Sequence, residues 1–111
     1  MSADHPLARA CARSHSQTDA VLAAQALGEQ VDAQLAALAD LAERTSETRA
    51  AIHAAADLLG RAEAAVTGGE HPAYWNWIRA SRAAIGRHAR RLFPEAAEWV
   101  GDVSRGPQWT P

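Results

Sequence analysis

Five arginines in one predicted helix are the residues of this chain best suited to bind an anion. The stretch 71–93 contains these five arginines and no acidic residue. A guanidinium group can form two parallel hydrogen bonds to a phosphate, and several on one helix face can follow a nucleic-acid backbone. A nearby tryptophan can stack on an exposed base. The pattern predicts a candidate nucleic-acid face made of Arg79, Arg82, Arg87, Arg90 and Arg91.

The charge distribution allows a second interpretation of the same arginines. The stretch 17–66 carries eight acidic residues and three arginines, and the formal net charge of the chain is −2. A basic helix beside an acidic one is common in antiparallel bundles, and an acidic chain is unusual for a dedicated DNA-binding module. The arginines are therefore also interpreted as a solvated face, or as one that pairs with the first long helix.

Four aromatic residues form a second candidate site, a surface for a protein partner. Tryptophan, tyrosine and arginine dominate the energetics of protein interfaces. In an alanine-rich bundle the same aromatic residues can instead fill volume at one end of the core. Trp75 and Trp77 are about 160° apart on a helical wheel, so at least one must leave the core face. The residues of this candidate partner surface are Tyr74, Trp75, Trp77 and Trp99.

Residues that could bind a metal or act as a nucleophile are few. His53 and Asp57 are four residues apart, but they point away from the apolar stripe of their helix and have no matching pair in 72–92. Cys11 is the only cysteine, so neither an intramolecular disulfide nor a thiolate cluster is expected. His15 follows Cys11 by four residues, without an implied cavity. The sequence predicts no metal site and no cofactor, and it does not favour an enzyme.

Three long amphipathic segments must position these side chains. Apolar residues recur at steps of three and four, which predicts helices over about 17–44, 46–66 and 72–92. The predicted inner face of the first contains Ala24, Leu27, Val31, Leu35, Leu38, Leu41 and Ala42. That of the second contains Thr48, Ile52, Ala55, Leu59, Ala62 and Val66. That of the third contains Tyr74, Ile78, Ser81, Ile85, Ala89 and Leu92.

The stretch 44–48 leaves two architectures open. Its hydroxyl residues are good helix caps, which favours a tight turn between two helices. However, the seven-residue apolar register continues through Thr45 without a slip, which fits one helix of about 50 residues, near 75 Å long. The continuous helix would require an oligomer to cover it, whereas the turn allows a monomer or a dimer.

The remaining stretches complete the predicted organisation. We expect an N-terminal segment, 1–15, with a short helix that starts at Pro6, then a bundle domain, 16–101, and an irregular tail, 102–111. A short helix is expected over 94–100. The fold class is therefore all-α, a small up-down bundle of three main antiparallel helices with short terminal helices.

Composition indicates the cellular context. All eleven basic residues are arginine and alanine is abundant, as in proteins from GC-rich bacterial genomes. The first twelve residues contain no apolar run, so we expect a cytoplasmic protein without a membrane partner. The function predicted from the sequence is a non-enzymatic helical module for self-association or for binding another protein. The alternative is a nucleic-acid-associated regulatory protein that uses the arginine-rich helix.

Overall fold

A computed structural model describes residues 5–14, 18–66 and 72–96, and within these ranges the chain is α-helical without a strand. The helices are α1 (Pro6–Ser14), α2 (Thr18–Leu38), α3 (Ser46–Ala64) and α4 (Pro72–Leu92). Each helix packs against the next along the chain, and α1 also contacts α4. The predicted all-α up-down bundle is confirmed. None of the described helices is both long and apolar enough to cross a membrane.

Helix α4 begins and ends where the sequence predicts. Pro72 suits the first helical position, because proline has no backbone N–H and its φ angle is already helical. At the other end, Pro94 disfavours helical geometry at Phe93. All six residues predicted for the inner face are buried. Gly86 and Arg82 are buried as well, which widens the face beyond its apolar stripe.

Helix α3 starts with a side-chain cap, so the tight-turn alternative is confirmed and the continuous helix is wrong. Thr45 has extended backbone geometry, and its hydroxyl accepts a hydrogen bond of 3.1 Å from the backbone N–H of Thr48. Such a cap satisfies one of the N–H groups left unpaired at a helix start. The six inner-face residues predicted for this segment are all buried, and Leu58 joins them.

Helix α2 ends at Leu38, so the predicted end near 44 is wrong. The amides of residues 39–41 turn back to carbonyls three residues earlier, each at 3.2 Å, which tightens the last turn. The guanidinium of Arg91 then donates to the carbonyl oxygens of Leu38 and Leu41, at 3.3 and 2.9 Å. A cation at a helix C-terminus stabilises its unpaired carbonyls. Ala42, predicted to face inward, is consequently exposed.

Several predicted features fall wholly or partly outside the described residues. Of the predicted helix over 94–100, Pro94 and Glu95 form a turn, and 97–100 are not described. Trp99 and the tail 102–111 also lie outside the described residues. The short N-terminal helix is confirmed as α1, which starts at Pro6.

Candidate functional site

The first two turns of α4 send three aromatic side chains in different directions. Tyr74 is 2 % exposed and belongs to the core. Trp75, the next residue, is 46 % exposed. Trp77 is partly buried and faces α1 and α2. Tyr74, Trp75 and Trp77, which were predicted as parts of one partner surface, therefore do not share a surface, and only Trp75 of the three is exposed. Trp99, the fourth predicted member, lies outside the described residues.

Trp77 belongs to a polar cluster with His5 and Asp32, which we call the His5 clasp. The indole Nε1 donates to Asp32 Oδ1 at 2.8 Å, while His5 Nε2 lies 2.9 Å from Asp32 Oδ2. The imidazole meets the Trp77 ring edge to face, with 4.6 Å between ring centroids. One carboxylate thus joins the start of α1 to α2 and α4.

Hydrogen bonds use both ring nitrogens of His5. The backbone N–H of Leu7 donates to His5 Nδ1 at 3.0 Å, so this nitrogen carries no proton and the imidazole caps α1. The ring proton then lies on Nε2, which donates to Asp32. No lone pair remains for proton transfer or for a metal. The His5 backbone N–H donates to Gln25 Oε1 at 2.7 Å, which fixes the chain direction.

Gly28 makes room for the clasp on α2. A Cβ atom at this position would overlap the imidazole of His5, with Nδ1, Cε1 and Cγ as its nearest neighbours. Glycine in the middle of a helix costs about 1 kcal/mol relative to alanine. Glycine is required here despite this cost, because the helix backbone approaches the imidazole of His5 too closely for a Cβ atom.

Arg82 differs from the other four arginines of the predicted nucleic-acid face because it is buried. Its Nε donates to Glu63 Oε1 at 3.2 Å, and its Nη2 lies 2.9 Å from Glu63 Oε2. Both side chains are at most 13 % exposed. The structure therefore assigns Arg82 to an ion pair between α3 and α4, and its predicted place on an exposed face is corrected.

Burial raises the pKa of Tyr74 to about 12, and the Glu63 carboxylate adds to this shift.

The remaining arginines of α4 are exposed but differ in their contacts. Arg91 caps α2, and its Nη2 also lies 3.2 Å from His88 Nδ1. Burial, followed by the charges of Arg91 and Arg87, lowers the pKa of His88. Arg79 donates to Asn76 Oδ1 at 3.0 Å. Arg87 and Arg90 form no hydrogen bond or ion pair within the part of the chain that the structure describes.

A concavity of about 550 Å³ lies beside the exposed tryptophan. Pro72, Trp75, Asn76 and Arg79 line it, and we call it the Trp75 groove. An aromatic face, an amide and a guanidinium group converge there on one rigid helix. Such a surface can bury an apolar side chain and also hydrogen-bond to a carboxylate or a carbonyl.

Other candidate positions show no comparable arrangement. A smaller concavity of about 430 Å³ at the α2–α3 turn has acidic and hydroxyl residues in its lining, among them Asp40, Glu43 and Glu47. Among residues 5–14, 18–66 and 72–96, no group of His, Cys, Asp and Glu side chains is arranged to hold a metal ion. Cys11 is buried, with its Sγ 3.7 Å from the carbonyl oxygen of Ala20.

Sequence reasoning missed the His5 clasp, although two signals pointed to it. His5 directly precedes Pro6, a residue that favours the first helical position, so a capping role follows from its place. Gly28 lies within a stretch of otherwise good helix-forming residues, and such a glycine indicates that another group approaches the helix backbone closely.

Comparison of the chain with models of protein families, with curated proteins and with solved structures finds no match.

Proposed function

We propose that this chain is a non-enzymatic interaction module that binds a protein partner through the Trp75 groove. The observation that carries the proposal is the exposure of Trp75, at 46 %, on a helix whose opposite face is packed in the core. A partner that covers the exposed part of this ring on binding removes apolar surface from water, which is favourable.

The chemistry of the groove fits a protein partner. Tryptophan and arginine are the residues most enriched among those that dominate binding energy. Arg79 is oriented by Asn76 at 3.0 Å, and Pro72 fixes the start of the helix. A preorganised surface loses less conformational entropy when it binds, which favours affinity.

The surroundings of His5 support a role without catalysis. The imidazole and carboxylate of the clasp are the polar pair that most resembles an acid–base dyad, but Leu7 and Asp32 occupy both ring nitrogens. Proton transfer needs a nitrogen within reach of a substrate. The clasp instead joins three helices, which is a structural role.

One observation favours nucleic acid as the second candidate. Arg87 and Arg90 are exposed and unpaired among the described residues, and Arg79 lies on the same side of α4. Arg82 pairs with Glu63 and Arg91 caps α2, so fewer arginines remain to contact phosphates than the sequence predicts. Fewer phosphate contacts give weaker binding with a shallower salt dependence.

Photo-crosslinking separates the two candidates. A photoreactive amino acid replaces the exposed Ala83 in the middle of the outer side of α4, and a control protein carries it at the exposed Ala54 of α3. After irradiation in cells that produce the protein, we expect a protein adduct at position 83 that Trp75→Ala abolishes, and none at 54. A nuclease-sensitive adduct, or no adduct specific to position 83, would overturn the proposal.

A further inference from the structure

Helix α2 presents a second apolar stripe to solvent, opposite the one that it buries. Most of its residues are alanine, valine or leucine, distributed around the whole helix. The apolar residues of α2 are therefore not confined to the face that it buries. The exposed residues Leu22, Ala26, Ala33 and Ala37 follow one another at helical spacing, with Glu29 among them. We call these five residues the α2 outer stripe; Leu22 is 44 % exposed.

Helix α4 presents a stripe of the complementary kind. Its exposed residues at steps of three or four are Trp75, Arg79, Ala83, Arg87 and Arg90, which we call the α4 outer stripe. It contains one large aromatic group, three cations and no acid. The α2 outer stripe contains one large aliphatic group, small residues and an acid. Leu22 and Trp75 are the large hydrophobic side chains left exposed among the described residues.

We infer that the partner of the proposed interaction module is a second copy of this chain, whose α2 outer stripe docks on the α4 outer stripe. This inference rests on the proposed function. Two arguments carry it: the charges of the two stripes are opposite, and each stripe holds one exposed large apolar side chain. The alanines of α2 let a partner helix approach closely, so the bulky residues of α4 find room against them.

Symmetric pairing of two α2 outer stripes fits the observations less well. Crossing two copies of the same stripe in antiparallel orientation brings Glu29 near its own equivalent, and like charges facing each other destabilise an interface. It also leaves Trp75 uncovered. Pairing α2 with α4 instead places arginines opposite Glu29 and covers both exposed apolar side chains. Each such contact is heterologous, because it joins the α2 outer stripe of one copy to the α4 outer stripe of another.

Complementary variants of the purified chain test this pairing. The α4 variant combines Trp75→Ala with Arg79→Glu, and the α2 variant combines Leu22→Ala with Ala33→Arg. Ala54→Arg on the exposed side of α3 is the control. Each substitution is at an exposed position, and circular dichroism verifies that helical content is unchanged. Light scattering and sedimentation over a range of concentrations and two salt concentrations give the dimer dissociation constant.

The expected result is specific to unlike stripes. The unmodified chain and the Ala54→Arg control dimerise, and each variant alone dimerises at least about tenfold more weakly. An equimolar mixture of the two variants regains association, as a complex of one copy of each, because one intact α4 stripe then meets one intact α2 stripe. Raising salt weakens dimerisation of the unmodified chain, because exposed charge pairs are screened.

Three other results would overturn the inference, and they differ in what they mean for the proposed function. If the α4 variant dimerises normally and the α2 variant does not, α2 pairs with itself. If the mixture fails to associate although each variant is folded, the two stripes do not meet. If the unmodified chain is monomeric throughout, the partner is not a second copy; a Trp75-dependent crosslink to a different protein would then leave the proposed function intact.

Discussion

Trp77 and Trp75 lie two residues apart on α4 and have opposite surroundings. Trp77 donates to Asp32, packs on the imidazole of His5 and joins three helices. Trp75 is nearly half exposed beside an open concavity. The residue type is the same, and both are within the first two turns, so composition does not separate a structural tryptophan from one available to a partner. What separates them is how much of the side chain the rest of the protein covers.

The largest expected effect contrasts these two tryptophans directly. Trp77→Ala removes a hydrogen bond and the ring that packs on His5, so we expect the free energy of unfolding to fall by about 3 kcal/mol. Trp75→Ala removes a half-exposed ring that contacts Tyr74, and we expect a smaller loss of about 1 kcal/mol. Urea denaturation of both variants measures the difference. Equal losses would show that the two faces of the helix contribute alike to stability, contrary to the comparison.

A second prediction tests whether the His5 clasp is as tightly packed as its geometry indicates. Gly28→Ala places a methyl group against the imidazole, so we expect a loss of about 2 kcal/mol in the free energy of unfolding despite the better helix propensity of alanine. In a His5→Ala background the obstruction is absent, and the same substitution should become neutral or stabilising. A loss of equal size in both backgrounds would mean that the imidazole is not the obstruction.

A third prediction sharpens the comparison with Tyr74, the core residue between Pro72 and the two tryptophans. Its folded pKa is about 12, above the ordinary value of 10.0, so the unfolded chain loses the phenol proton first as pH rises. Stability is therefore intact below about pH 10 and falls by about 1.4 kcal/mol per pH unit up to about pH 12.

The control for this pH dependence is Tyr74→Phe, which should have a flat profile over the same window. Tyr74 is the only tyrosine of the chain, so the ultraviolet absorbance of tyrosinate follows it without ambiguity. A profile of the unmodified protein that matches the phenylalanine variant would contradict the burial of the hydroxyl near Glu63.

The sequence was sufficient to predict where α4 begins and ends and which residues of α3 are buried. Proline at each end and the glycines before Pro72 are local signals, and a single apolar stripe of period 3.6 defines which residues are buried. The end of α2 could not be predicted, because Arg91, which caps it, is far away in the sequence. The apolar register continues through Thr45, so it did not indicate the turn between α2 and α3.

Sequence reasoning could not predict which side chains of the candidate site contact each other. Sequence reasoning placed Arg82 on the candidate nucleic-acid face, and only the approach of α3 brings Glu63 within ion-pair distance of it. Likewise, a helical wheel showed that Trp75 or Trp77 must leave the core face. It could not show which one finds Asp32, since that carboxylate is 45 residues away.

The cap that Arg91 places on α2 has a consequence for the order in which the chain acquires its structure. The carbonyl oxygens of Leu38 and Leu41 receive their charged donor only after α4 has docked. Before that event, no tertiary contact of Arg91 opposes extension of α2 along the uninterrupted apolar register toward α3. The C-terminal end of α2 is therefore stabilised late, by a helix that begins more than thirty residues downstream.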